Sequence, residues 1–171
     1  MSAAEVDSVV AVECLDADER DAIAQGLAAS LHGTAAGLGQ PTERRWWRIV
    51  ATESFDAWLI DWPAQGSVRP HDHGGAAASI CVIRGELVES VFQGDGVAQT
   101  VLAEGSTHRV SADAVHDVTN RGPAPATSVH VYSPPLRTMG FYDESGEPVG
   151  WDVIDAEPTL WSTVLPGSIG S

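Results

Sequence analysis

After Pro41 the chain consists of short runs rich in Val, Ile, Trp and Thr, separated by Gly, Pro and Asp. Branched and aromatic residues favour pleated strands, whereas Gly, Pro and Asp favour the turns between them. The predicted strands cover residues 45–50, 57–62, 79–84, 86–93, 98–103, 114–119 and 127–133. Many short strands at this spacing indicate an all-β barrel or sandwich.

The region before Pro41 has a pattern typical of a helix. Asp16 and Glu19 are spaced as a capping box, in which each side chain accepts a hydrogen bond from a free backbone N–H group. Apolar residues then follow at helical spacing as far as Leu31, and the stretch rich in Gly and Ala from Gly33 ends the helix. We therefore expect an N-terminal helical segment that packs on a β-core.

The chain has the size of one domain, and we expect a single domain over residues 1–171. Within it, the sequence predicts a helical segment at 1–40, a β-barrel core at 41–139 and a C-terminal wrap at 140–171. Gly and Pro residues make the wrap irregular in this prediction, with Trp151 and Trp161 as its packing anchors.

The charge balance excludes several classes of function. There are 24 acidic and 9 basic residues, for a net charge of −15, and every basic residue is Arg. Without Lys there is no Schiff base, no pyridoxal phosphate anchor and no Walker-type phosphate lysine. The acidic surplus argues against nucleic acid and against anionic membrane surfaces as partners.

The location that we expect is the cytoplasm. No apolar run approaches the roughly 18 residues that span a bilayer, and the acidic N-terminus lacks the basic start of a secretion signal. Two cysteines are too few for a disulfide framework. We expect a monomer or a small homo-oligomer.

Three of the six histidines form a candidate metal site. His71 and His73 lie two residues apart, so on a strand both imidazoles point to one face. Gly85, Gly105 and His116 follow at spacings that resemble the two-part signature of the cupin superfamily. His116 is then the third metal ligand that the resemblance implies.

The sequence departs from this signature at Ala78, which stands where most cupins have a Glu ligand. A divalent metal on three neutral imidazoles keeps its full charge and has up to three open positions, which favours an anion such as a thiolate. Imidazole suits Fe, Zn, Cu or Ni. An open face with redox chemistry points to Fe(II) and O₂.

The segment from Ser128 to Pro135 reads Ser-Val-His-Val-Tyr-Ser-Pro-Pro. On a strand, Ser128, His130 and Tyr132 share one face and can form a hydrogen-bonded relay that orients the phenol. Together with the metal motif, this segment resembles the cysteine dioxygenase type of thiol dioxygenase. The resemblance implies a cupin-type jelly-roll β-barrel and a cis peptide bond between Ser133 and Pro134.

Two further positions extend the resemblance towards the substrate. Trp62 precedes His71 by nine residues, where the family has a Trp. We expect it either to shape the pocket wall or to be a plain core residue. The run Trp46-Trp47-Arg48 resembles the family's aromatic-x-Arg, whose Arg binds the substrate carboxylate. Other arginines could take this role, and the alternatives are Arg44, Arg45 and Arg69.

The thioether cross-link of animal members needs a Cys at the position of Ala78, so it cannot form here. Cys81 lies three residues later and is expected in the core. We also expect His108 to lie outside the metal site, because it has no partner at ligand spacing.

The resemblance implies one Fe(II) per chain on the three histidines, with Zn or Ni possible as purified. It also implies that L-cysteine is oxidised with O₂ to cysteine sulfinic acid. A close alternative is 3-mercaptopropionate, for which relatives usually carry Gln in place of the Arg. A second alternative is a cupin without enzymatic activity that binds a small molecule through its metal.

Overall fold

The structure, a computed structural model, describes residues 12–94 and 96–154. It begins with helix α1 (Ala17–Gly37), whose capping box is formed as predicted. The Glu19 amide donates to Asp16 Oδ1 over 2.9 Å, and the Asp16 amide donates to Glu19 Oε2 over 2.8 Å. In the part of the chain that the structure describes, no helix is long and apolar enough to cross a membrane.

The rest of the described chain forms two antiparallel sheets. Their strands are β1 (Arg45–Ala51), β2 (Asp56–Trp62), β3 (Ser67–His71), β4 (Ala77–Arg84), β5 (Leu87–Gln93), β6 (Gly96–Leu102), β7 (Thr107–Val110), β8 (Val115–Thr119), β9 (Ala126–Ser133), β10 (Thr138–Tyr142) and β11 (Pro148–Val153). One sheet has the order β1-β2-β9-β4-β7, and the other has the order β11-β10-β3-β8-β5-β6. The prediction of an all-β fold with an N-terminal helix is confirmed.

Apolar side chains form two layers, one on each face of the five-stranded sheet. The inner layer lies between the two sheets and contains Trp58 and Ile80 from one sheet with Val118 from the other. The outer layer lies beneath α1 and contains residues such as Leu31 and Val129. The side chains of His71, His116, His130 and Tyr132, described below, are buried between the two sheets.

The predicted strands are all present, with ends that shift by one or two residues, but four strands were not predicted. β3 contains a Pro and β7 has four residues, so neither shows the branched, alternating pattern of a strand. β10 and β11 pair with each other inside the segment that was expected to be irregular.

Trp151 is not a packing anchor. It lies on β11, an edge strand, with 69% of its surface exposed. Trp161 and most of the predicted C-terminal wrap lie outside the described residues. The division at residues 40 and 139 stays a prediction.

Candidate metal centre

A β-bulge aims the first of the three histidines. In the pairing of β3 with β8, Val68 lies opposite Val118 and His71 lies opposite His116, so three residue steps on β3 match two on β8. The extra residue turns the side chain of His71 inward, on the same side as Val68. β3 ends at His71, so His73 lies in the following loop and not on the strand that the sequence predicted.

Two residues hold that loop in place. The Asp72 carboxylate accepts hydrogen bonds from the Gly74 amide at 2.8 Å and from the Tyr142 hydroxyl at 2.6 Å. Gly74 has a positive φ of 59°, and a Cβ there would lie 2.1 Å from Thr138 Oγ1. The loop therefore needs Gly at this position. The contacts of Asp72 and Gly74 with β10 set the direction of His73.

The imidazoles of His71, His73 and His116 converge. One nitrogen of each lies within 4.8 Å of the others, and all three side chains are buried. The Nε2 atoms of His73 and His116 are 3.1 Å apart. The structure thus brings together the three residues that the sequence predicted as metal ligands.

The hydrogen bonds at the other ring nitrogens fit a metal on the Nε2 atoms. Nδ1 of His71 is 2.9 Å from the carbonyl oxygen of Arg69, to which it donates its proton. Nδ1 of His116 donates in the same way to Glu89 Oε1 over 2.7 Å. Two of the three Nε2 lone pairs are therefore free for a metal, and this is how proteins usually orient a ligating histidine.

Burial keeps His71 and His73 neutral. It lowers the pKa of His71 to about 3, aided by the neighbouring His116. Burial also lowers the pKa of His73 well below its usual value. Neutral imidazole is the form that binds metals, so these two rings are in the ligating form at neutral pH.

Glu89 and His108 complete the surroundings of His116, and the sequence analysis missed this role. Glu89 lies on β5 and is buried, and its second oxygen forms an ion pair with Nε2 of His108 on β7. Burial alone would raise the pKa of Glu89, but hydrogen bonds from His108 and His116 lower it to about 2. One signal in the sequence was the position of Glu89 two residues after Leu87, because both then lie on the same, buried face of β5.

The predicted relay is formed, and Trp62 extends it. Trp62 Nε1 donates to Ser128 Oγ over 3.0 Å, Ser128 Oγ is 2.9 Å from His130 Nε2, and His130 Nδ1 is 3.2 Å from the Tyr132 hydroxyl. The next residue, Ser133, is joined to Pro134 by the expected cis peptide bond.

The direction of each hydrogen bond in this relay follows from which atoms can donate a proton. An indole N–H can only donate, so Ser128 accepts there and gives its own proton to His130 Nε2. Burial lowers the pKa of His130 to about 3, so its ring is neutral and its remaining proton is on Nδ1, facing Tyr132. Burial also raises the pKa of Tyr132, which leaves a protonated phenol whose hydrogen points away from His130.

Tyr132 stands next to the metal-binding nitrogens. Its ring meets the ring of His73 edge to face, with 4.8 Å between the centroids. On β4, the residue opposite Tyr132 is Ala78, which is fully buried and leaves no carboxylate in this position. Cys81 is in the outer layer beneath α1, as expected, on the other face of the sheet.

A cavity of about 550 Å³ opens beside the cluster and the relay. Its apolar wall includes Trp58, Ile60, Val118, Leu136, Met139 and Phe141. Arg44 and Arg69 bring positive charge to the lining. The guanidinium of Arg44 lies over the ring of Trp62, and that of Arg69 lies over Phe141.

Arg48 is not part of this lining. Its side chain is buried next to Asp56, with 3.2 Å between Arg48 Nε and Asp56 Oδ2. Arg45 is on the other face of β1, where it pairs with Asp61. Within residues 12–94 and 96–154, no carboxylate forms an ion pair with Arg44.

The sequence profile of cysteine dioxygenase type I matches residues 3–145. The chain belongs to this family. Members of the cysteine dioxygenase type I family are dioxygenase-type oxidoreductases, and the three-histidine cluster gives this chain a site that can hold a metal. Family membership and the two facing sheets together confirm the cupin-type jelly roll.

Solved structures of other proteins resemble this fold. The protein TT1209 from Thermus thermophilus is 23% identical, with a TM-score of 0.50 over 56% of this chain and 88% of that chain. An oxalate oxidase is 20% identical, with a TM-score of 0.53 over 66% of this chain and 63% of its own. The oxalate decarboxylase of Lactobacillus farciminis is 14% identical, with a TM-score of 0.50 over 67% of this chain and 32% of its own. These likenesses concern the fold alone, and this chain spans less than two thirds of the oxalate oxidase.

Proposed function

We propose that the protein is an iron-dependent thiol dioxygenase that oxidises L-cysteine to cysteine sulfinic acid. The observation that carries the proposal is the placement of Tyr132 against His73, at the end of a relay whose last proton points away from His130. A metal site that serves binding alone has no need of an oriented, protonated phenol.

The donor set supports Fe(II) at this site. Three imidazole nitrogens suit iron, and they leave open positions because Ala78 supplies no fourth ligand. When bound, Fe(II) supplies the redox step that allows both atoms of O₂ to add to the thiolate sulfur. The protein's own residues orient the substrate, control one proton and keep water out.

We assign the substrate carboxylate to Arg44 and no longer to Arg48. Arg44 lines the cavity and has no ion-pair partner in the described part of the chain, whereas Arg48 is paired with Asp56. A planar guanidinium binds a carboxylate through two parallel hydrogen bonds. The net charge of the chain is −15, so an anionic substrate needs such a local cation.

Tyr132 has the role of a hydrogen-bond donor to the reacting groups. Because burial raises the pKa of Tyr132, the phenol keeps its proton at neutral pH. Ser128 and His130 hold that proton in one direction. The apolar wall around Ile60 and Leu136 limits the access of water to the thiolate.

The test is oxygen consumption by the iron-loaded protein with L-cysteine, 3-mercaptopropionate and cysteamine. We expect L-cysteine to be the best substrate. Cysteamine lacks the carboxylate that Arg44 binds and is expected to be poor. A preference for 3-mercaptopropionate would keep the chemistry and correct the substrate. Binding of these thiols with oxygen uptake from none of the three would overturn the proposal.

A further inference from the structure

Glu89 joins the candidate metal centre to the protein surface. Its carboxylate lies between two imidazoles, with Oε1 2.7 Å from Nδ1 of His116 and Oε2 against Nε2 of His108. Glu89 and His116 belong to the six-stranded sheet, whereas His108 belongs to the five-stranded sheet. The side chain of Glu89 is 1% exposed and that of His108 is 27% exposed, so the link runs from the buried cluster towards solvent.

An ionised carboxylate is unusual at a position as buried as that of Glu89. An ionised carboxylate in an apolar interior is costly unless it is paired. A glutamine would satisfy the Nδ1–H of His116 without that cost, so the hydrogen bond to His116 alone does not explain a carboxylate. The three imidazoles bring no negative charge to a metal, and neither does Ala78 at the nearby strand position.

We propose that Glu89 is a positioning residue that supplies the anionic charge of the metal centre through the Nδ1–H of His116. The carboxylate makes His116 a stronger donor to the metal, which tightens metal binding and stabilises the more highly charged oxidation state. His108 offsets part of this charge from the outside. The inference rests on the proposed function in requiring that the cluster holds a metal.

The first test measures metal affinity without any reaction. Glu89→Gln keeps the size and removes the charge, and Glu86→Gln removes the same charge from an exposed residue just before the same strand. Competition with a chromophoric chelator gives the affinity for Zn²⁺. We expect E89Q to lose about 10–100-fold in affinity and E86Q to match the wild type. Equal affinities for E89Q and wild type would overturn the inference.

The second test measures the Fe(III)/Fe(II) reduction potential at near-neutral pH, which a purely structural role would not move in a defined direction. Removing the negative charge in E89Q is expected to raise the potential. His108→Gln retains a donor for Glu89, and at a pH below the ordinary histidine value of about 6.5 it removes a positive charge, because the hydrogen bond to Glu89 raises the pKa of His108 further. We therefore expect H108Q to lower the potential.

Opposite shifts in E89Q and H108Q support the inference, and shifts of the same sign overturn it. If E89Q fails to fold, H108Q alone decides, because an unchanged potential contradicts the role of the charge. The failure of the proposed function is distinguishable: wild-type protein would then bind neither Zn²⁺ nor Fe²⁺, or would bind iron and consume no oxygen with thiols.

Discussion

The guanidinium of Arg44 lies over the indole of Trp62, with 5.5 Å from Arg44 Cζ to the ring centroid. The same indole donates a hydrogen bond to Ser128, the start of the relay that ends at Tyr132. One aromatic side chain thus supports both the cation that faces the cavity and the phenol that faces the metal-binding nitrogens. Such stacking holds a guanidinium in place and leaves its N–H groups free for a ligand.

Arg44→Gln is expected to raise KM for L-cysteine by at least about tenfold, which corresponds to roughly 1.4 kcal/mol of lost binding. The physical reason is that glutamine cannot replace a charged, bidentate partner of the carboxylate. Initial rates of oxygen uptake over a range of cysteine concentrations measure the effect. Arg48→Gln is the comparison, and it is expected to lower stability and leave KM unchanged. A raised KM in R48Q together with an unchanged KM in R44Q would reinstate Arg48.

Tyr132→Phe is expected to lower kcat by about 100-fold, the lower end of what a positioned proton donor contributes. Because Phe keeps the ring that packs against His73, iron content per chain should stay the same. Metal analysis and oxygen uptake on the same preparation check both points. A Y132F variant with wild-type turnover would mean that the relay has no part in the reaction.

Gly140→Ala tests the clamp on the loop between the two neighbouring metal ligands. A Cβ at Gly140 would lie 2.5 Å from Asp72 Oδ2, so Asp72 has to move. We expect a loss of about 1–3 kcal/mol in the free energy of unfolding, as for other overpacked sites, and less bound metal per chain. Gly150→Ala, on the paired strand, has no atom within 4 Å of the new Cβ and should leave both quantities unchanged. Metal loss in G150A but not in G140A would contradict this account.

The metal-free protein should lose stability as the pH falls below about 6.5, the ordinary value for histidine. The folded-state pKa of His130 is lowered to about 3, mainly by burial. The unfolded chain therefore binds more protons in this range, and the contribution that is fully present above pH 6.5 is lost on acidification. Between pH 6.5 and 5, His130 alone accounts for roughly 2 kcal/mol.

Chemical denaturation at several pH values, with wild type and His130→Gln compared, measures this contribution. The variant is expected to have a shallower pH dependence over the same range. Parallel curves for the two proteins would show that His130 is not held neutral by the fold.

Local pattern was sufficient to predict seven of the eleven described strands and the histidines that converge between the sheets. His71, His73, His116 and the relay were found because their spacing along the chain carries the information, whether on a strand or in a fixed loop. β3 was missed because a bulge and a Pro replace simple alternation. The bulge also explains why His71 faces inward, which alternation alone does not predict.

The choice between Arg44 and Arg48 depends on partners that are distant in sequence. The two residues are four positions apart on or beside one strand, so they share a face of the sheet. Asp56 on β2 pairs with Arg48, and Arg44 extends past Trp62 into the cavity. Glu89 was missed for the same reason, because its partner His108 is distant in sequence and reaches it only through the position of β7 in the fold.

We propose that this three-histidine site uses iron to add both atoms of O₂ to a thiolate. The direct measurement is mass spectrometry of the product formed by iron-loaded protein from L-cysteine under isotope-labelled dioxygen in ordinary water. We expect cysteine sulfinic acid in which both new oxygen atoms carry the label, with no product when zinc replaces iron. A product with one labelled oxygen, or disulfide as the sole product, would contradict it.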